Sequence, residues 1–65
     1  MFIELNDTNN SIISADKILY IKYDMMRKTA TILFAGNHGV TNSFHYSSKE
    51  ELVNDKRRVK NRLGL

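Results

Sequence analysis

Residues 18–51 read ILYIKYDMMRKTATILFAGNHGVTNSFHYSSKEE and decide the fold. Apolar and polar residues alternate over three short segments separated by turn-forming sequences, which is typical of antiparallel strands. The third segment runs directly into serines that are followed by glutamates, a pattern typical of a helix N-terminus. We therefore expect a three-stranded antiparallel meander that leads straight into a helix.

The alternation also predicts how the first two of these strands pair. A four-residue loop at 25–28 would place Ile21 opposite Ile32 and Leu19 opposite Phe34. Both apolar sets then lie on one face of the sheet, as a buried face requires. Because the loop contains neither glycine nor asparagine, we expect an ordinary type I turn.

The second hairpin has a turn sequence with more specific chemistry. A three-residue loop at 37–39 ends in a glycine, which suits the left-handed position of a bulged hairpin. This loop would pair Phe34 with Asn42 and Ile32 with Phe44. The face predicted to be buried then stays mostly apolar across all three strands.

A C-terminal helix is predicted over residues 48–63. Either Ser47 or Ser48 can form a capping box, since each is followed three residues later by a glutamate. Gly64 is suited to end the helix. The apolar stripe that would cover the sheet consists of Leu52, Val53, Val59 and Leu63.

The N-terminal residues predict one further hairpin within the same domain. Residues 2–5 alternate like a short strand, residues 6–11 are rich in turn formers, and residues 12–14 can pair with the first segment. The predicted fold is α+β: a small antiparallel β-meander of three to five strands over residues 1–47, followed by one helix packed on one face. All 65 residues form a single domain.

Composition excludes several classes of protein. The chain has no cysteine, and no stretch approaches the length of apolar sequence that spans a membrane. The first ten residues lack the basic and apolar regions of a signal peptide. We therefore expect a cytoplasmic protein with no membrane partner. Because domains of this size are marginally stable, we also expect a homo-oligomer.

No pattern of catalytic residues is present. His38 lies in a glycine-flanked turn and His45 on the polar face of a strand, positions where histidines are usually exposed and chemically idle. The chain has no metal-binding motif, no glycine-rich phosphate loop and no nucleophile beside a base. We expect no enzymatic activity, no cofactor, no metal site and no small-molecule substrate.

The charge distribution suggests one class of partner. The net charge of +3 is uneven: residues 1–24 contain two lysines against four acidic residues, whereas residues 49–65 contain six basic residues against three acidic ones. The basic run at 56–62 could follow a phosphate backbone, or it could be a solvated helix end that complements the helix dipole. The candidate nucleic-acid contacts are Arg27, Lys28, Lys56, Arg57, Arg58, Lys60 and Arg62.

The outer face of the sheet suggests a second class of partner. The predicted alternation directs several apolar side chains outward, where a single helix on the opposite face cannot cover them. They would either contact another protein or be covered by the N-terminal segment. The candidate protein interface consists of Phe2, Ile18, Tyr20 and Leu33.

Residues 23–58 resemble, in layout, the DNA-binding domains of the AP2 type and the arm-binding domains of phage-type integrases. The similar features are YDMMRK at 23–28, TATILFA at 29–35, the glycine turn, and an aromatic strand that ends in SSKEEL at 47–52. The resemblance implies a sheet whose outer face lies in the DNA major groove. The chain also resembles the small β-rich proteins of the flagellar FlbD family. Neither resemblance assigns individual site residues.

Two hypotheses follow from the sequence. The first is a non-enzymatic accessory or regulatory protein that binds nucleic acid through its basic helix. The alternative is a protein-binding adaptor or inhibitor, encoded by a phage or mobile element, that acts through the apolar outer face.

Overall fold

The computed structural model describes residues 1–64. Strands β1 and β2 form a two-stranded antiparallel sheet, and β3, β4 and β5 form a three-stranded antiparallel sheet in that order. A 3-10 helix, Ala15–Lys17, joins the two sheets. The predicted α+β class with one C-terminal helix is confirmed. The elements are β1 (Phe2–Glu4), β2 (Ile12–Ser14), β3 (Ile18–Asp24), β4 (Thr29–Phe34), β5 (Thr41–His45) and α1 (Lys49–Arg62).

The pairing of β3 with β4 is confirmed near the turn that joins them. Asp24 pairs with Thr29, and Ile21 lies opposite Ile32. The connection has the four residues predicted, but it is not an ordinary type I turn throughout. Lys28 has a φ of 55°, in the left-handed region that non-glycine residues rarely occupy. This conformation turns the chain back into β4.

At its other end, β3 departs from the predicted alternation. A bulge at Leu19 makes Ile18, rather than Leu19, the partner of Phe34, so the predicted Leu19–Phe34 pair is wrong. The chain enters β3 from the 3-10 helix, and the Ala35 N–H donates to the Lys17 carbonyl at 2.7 Å. That hydrogen bond anchors the beginning of the strand, and the one surplus residue is accommodated as a bulge.

The predicted pairing of β4 with β5 is wrong by two residues. Ile32 lies opposite Asn42, and Ala30 lies opposite Phe44. Since side chains alternate with a period of two, a shift of two leaves every side chain on the face that was predicted. The apolar pattern therefore determined the faces of β5 but could not distinguish two registers that bury the same residues.

The connection between β4 and β5 explains this shift. It comprises residues 35–40 and contains two consecutive turns instead of one three-residue loop. The Asn37 N–H donates to the carbonyl of Phe34, and the Val40 N–H donates to the carbonyl of Asn37. The second turn has positive φ at both central residues, His38 and Gly39. That is the signature of a type I′ hairpin turn.

The N-terminus of α1 agrees with the predicted cap. The Ser48 hydroxyl accepts a hydrogen bond from the Glu51 N–H at 3.2 Å, so Ser48 is the N-cap. The Ser47 hydroxyl instead donates to the Glu51 carboxylate at 2.7 Å. At the other end, Gly64 has a φ of 75° directly after the C-cap residue Leu63. Glycine adopts this left-handed conformation without steric cost.

The β1–β2 hairpin and α1 together cover the inner face of the three-stranded sheet. Leu52 and Val59 of the predicted helix stripe are buried and Leu63 is half-buried, whereas Val53 is exposed. One group of buried apolar residues joins the hairpin, the sheet and the C-terminal half of α1: Ile3, Leu5, Ile13, Ala15, Ile32 and Val59. A second group, at the N-terminal half of α1, comprises Ala30, Tyr46 and Leu52.

Candidate functional site

A buried carboxylate holds the three parts of the fold together. Asp55 on α1 is only 1% exposed. It accepts hydrogen bonds from the Asn6 N–H at 2.6 Å and from the Tyr46 hydroxyl at 2.8 Å, and it forms an ion pair with Arg58 at 2.9 Å. Burial and the bond to Asp55 raise the pKa of Tyr46 well above its ordinary value. These contacts connect α1 to the segment after β1 and to the residue after β5, so we expect the cluster to stabilise the fold.

The helical period divides the predicted basic run between different sides of α1. Arg58 donates to the Glu4 carbonyl at 2.5 Å, and Arg62 contacts the Phe2 carbonyl at 3.4 Å. These two arginines therefore fasten α1 to the β1–β2 hairpin. Since Arg58 also pairs with Asp55, much of its hydrogen-bonding capacity is already used.

Two lysines from the same run lie on the opposite side of the helix. The Lys56 ammonium is 5.4 Å from the centroid of the Tyr23 ring, within range of a cation–π interaction. Lys60 follows one turn later on the same side. Arg57 is exposed and lies between the two directions. Hence no side of the helix carries all five cations of the predicted patch.

The other predicted cations, Arg27 and Lys28, lie at the tip of the β3–β4 turn. Met25 in this turn packs against the core group that contains Leu52, so the turn lies near the N-terminal half of α1. The Lys28 carbonyl accepts from the Tyr46 N–H at 2.8 Å, and Arg27 forms a long, exposed ion pair with Asp24. These two cations are therefore separated from the basic C-terminal half of α1.

The predicted apolar interface is also divided. The bulge turns Ile18 toward the core, where it packs against the first core group. Phe2 is 71% exposed, on the solvent face of the β1–β2 hairpin rather than on the three-stranded sheet. Tyr20 and Leu33 remain together as a cross-strand pair on the outer face. The structure thus brings together two of the four residues.

The same bulge creates a surface that the sequence alone did not reveal. An open groove of about 550 Å³ runs between β3 and the C-terminal half of α1. Leu19, pushed out of the alternation, is 63% exposed at this groove. The apolar side chains that line it are Ile18, Leu19, Ile21, Val59 and Leu63. Val59 and Leu63 belong to the helix stripe that was predicted from the sequence, whereas nothing in the sequence indicated that Leu19 would be displaced.

Within residues 1–64, the charged side chains that border the groove are all positive. Lys56 and Lys60 line it together with Tyr20 and Tyr23, and among residues 1–64 no acidic side chain does. The three ion pairs found among residues 1–64 do not include either lysine. Burial, and secondarily the charge of Asp55, raise the pKa of Tyr23, so this phenol stays neutral at physiological pH.

A second concave surface lies on the outer face of the three-stranded sheet. It has a volume of about 420 Å³ and is lined by Lys22, Asp24, Arg27, His45 and several hydroxyl groups. Two of those hydroxyls, from Thr31 and Ser43, are 3.3 Å apart across neighbouring strands. This trough is polar and exposed, in contrast to the apolar groove.

Comparison with known proteins adds no relative: neither protein-family models, nor curated proteins, nor solved structures yield a match to this chain. No helix within residues 1–64 combines the length and the apolar character needed to cross a membrane.

Proposed function

We propose that this chain is a non-enzymatic binding protein whose partner is another protein, held in the groove between β3 and α1. The observation that carries the proposal is an apolar groove beside an unpaired strand edge. Its volume of about 550 Å³ is within the range of ligand sites, but it is open along its length. A small ligand needs most of its surface enclosed, whereas a polypeptide segment can lie in an open groove.

The two edges of the three-stranded sheet differ in a way that favours β3. β3 is the longest strand, with seven residues, and within residues 1–64 it pairs only with β4. The edge of β5 is partly covered, because the Thr8 N–H donates to the His45 carbonyl at 2.8 Å. An uncovered edge next to exposed apolar side chains is a common site of protein association.

No catalytic step belongs to this proposal. His38 and His45 are both exposed and lie apart, in the β4–β5 connection and on the outer face of β5. General acid–base chemistry needs a residue held against a substrate in a site that excludes water. Neither histidine has such surroundings.

Nucleic-acid binding is the second candidate function. It is favoured by the exposed cations that lie near β3: Lys22 and Arg27 on the outer face, and Lys56 and Lys60 on the groove. It is disfavoured by the use of Arg58 and Arg62 in contacts with β1. This candidate predicts binding that weakens steeply as salt is added, since phosphate contacts release counterions.

The test of the proposed function is a selection of peptides from a random displayed library against the folded protein. Bound peptides should shift the amide NMR signals of residues 19–24 and 56–60. Leu19→Asp should abolish their binding, and Val40→Asp should not. The two positions are a matched pair, because Leu19 is 63% exposed and Val40 62% exposed, away from the groove.

Two outcomes would overturn the proposal. One is the absence of any peptide whose binding depends on Leu19. The other is tight binding of generic duplex or single-stranded DNA with a steep salt dependence that Lys56→Ala and Lys60→Ala reduce. The second result would assign the surface to nucleic acid instead.

A further inference from the structure

We infer that the segment bound by this protein is an extended strand, added to the free edge of β3, whose inward-facing side chains include both apolar and acidic residues. The inference rests on the proposed function and specifies the chemistry of the partner. It follows from three features of the groove: the length of the free edge, the direction of the side chains, and the charge of the rim.

The free edge is long enough to hold a short strand. Beyond the bulge at Leu19, β3 runs regularly from Tyr20 to Asp24. Its five residues span about 17 Å at the usual rise of a strand. Addition of a strand to such an edge is driven by backbone hydrogen bonds, while alternate side chains supply the specificity. The bulge ends the usable edge on one side and so limits where a partner can pair.

The two faces of the sheet require different side chains from the added strand. Side chains that point inward would meet Ile21, Val59 and Leu63 in the groove, which favours apolar residues. Side chains that point outward would meet the trough, where Lys22 and Asp24 both lie, so that face favours neither sign of charge. Because successive residues of a strand point to opposite faces, only every second residue of the added strand meets the groove, and the residues between need no charge.

The rim of the groove, which consists of Lys56 and Lys60, also favours a partner with negative charge. Lys56 and Lys60 lie one helical turn apart, and no acidic side chain in the described part of the chain lines the groove. Because α1 lies on the inner face of the sheet, the carboxylates that can reach these ammonium groups are those on inward-facing side chains of the bound segment. Such pairs at the edge of an interface mainly set partner choice and association rate.

The same charges disfavour a second copy of this chain as the occupant. If two β3 strands paired antiparallel about a two-fold axis, both α1 helices would lie on the same side of the joined sheet. Lys56 and Lys60 of one protomer would then face those of its partner, and like charges opposite each other are repulsive. The self-association predicted from the small size of the domain stays a separate prediction.

The experiment uses two labelled nine-residue peptides in which every second residue is threonine. The residues between are valine and glutamate in one peptide and valine and lysine in the other, so that the charged and apolar side chains share one face of the strand. Binding to the full chain is measured by fluorescence anisotropy. The Lys56→Glu/Lys60→Glu variant reverses the charge of the rim. The matched control, Lys49→Glu/Arg57→Glu, changes the net charge equally at exposed positions of α1 outside the groove.

The glutamate peptide should bind the unmodified chain and the control variant with affinities within about threefold of each other. It should bind the rim variant at least about tenfold more weakly, since two opposite-charge contacts become repulsive. The lysine peptide should prefer the rim variant. Isotope-edited NMR should show the bound peptide next to residues 20–24.

Three results would overturn the inference. Equal weakening in both double variants would mean that only net charge matters. Library peptides that depend on Leu19 but lack acidic residues would refute the acidic pattern while leaving the proposed function intact. A dimeric mass by light scattering that Leu19→Asp reduces to a monomer would make a second copy the occupant of the groove.

Discussion

Removal of the buried carboxylate of Asp55 should cost a large part of the stability of this protein. In Asp55→Ala, the Asn6 N–H and the Tyr46 hydroxyl lose their acceptor, and each such loss costs about 1–3 kcal/mol. The ion pair with Arg58 adds little, because that guanidinium is 48% exposed and water can solvate it. We therefore expect a loss of about 3–5 kcal/mol in the free energy of unfolding.

This loss is large relative to the total stability of the protein. A domain of 65 residues has a total stability of roughly 3–10 kcal/mol. Asp55→Ala could then be largely unfolded, so Asp55→Asn is the more informative variant. The amide keeps the shape and one acceptor but exchanges charge-assisted bonds for neutral ones, which should cost about 2 kcal/mol.

The assay is urea unfolding at neutral pH, followed by far-ultraviolet circular dichroism and tyrosine fluorescence. The control is Glu50→Ala, an exposed carboxylate on the same helix, which should change stability by less than about 0.5 kcal/mol. If Asp55→Asn has the same urea midpoint as Glu50→Ala, the cluster does not stabilise the fold and the reasoning is refuted.

Three further predictions test the fold. Because the pKa of Tyr46 is raised by folding, its contribution to stability is complete below about pH 10, where the unfolded phenol is also protonated, and it declines as the pH rises further. In thermal melts at a series of pH values, Tyr46→Phe should lose less stability at alkaline pH than the unmodified chain does. Ser48→Ala should lower stability by about 1 kcal/mol and Ser47→Ala by clearly less, and equal effects in urea unfolding would contradict the assignment of the N-cap. Ile18→Ala should lower the free energy of unfolding by about 1–2 kcal/mol and Leu19→Ala by less than about 0.5 kcal/mol, because only Ile18 packs on the core. The reverse order would contradict the bulge and would mean that Leu19 is the buried residue.

The candidate site could be predicted only in part. The basic run and the exposed Tyr20 were visible in the sequence, yet their arrangement was not. Whether Arg58 meets a phosphate or the Glu4 carbonyl depends on a hairpin that lies 54 residues earlier in the chain. The helical period shows which side chains share one side of a helix, but it does not show which part of the protein lies against that side.

Local sequence determined the elements of this protein and most of their faces. The alternation at 29–34 and the serine–glutamate pattern at 47–51 act over a few residues, so strand β4 and the start of α1 were predictable. Tertiary structure decided the bulge at Leu19 and the two-residue shift of β5. Both depend on how the 3-10 helix and the β4–β5 connection fit the strands they join. A shift of two residues keeps the alternation of side chains, and Ile18 and Leu19 are both apolar, so the pattern of residues distinguished neither outcome. The groove between β3 and α1 is a product of that fit.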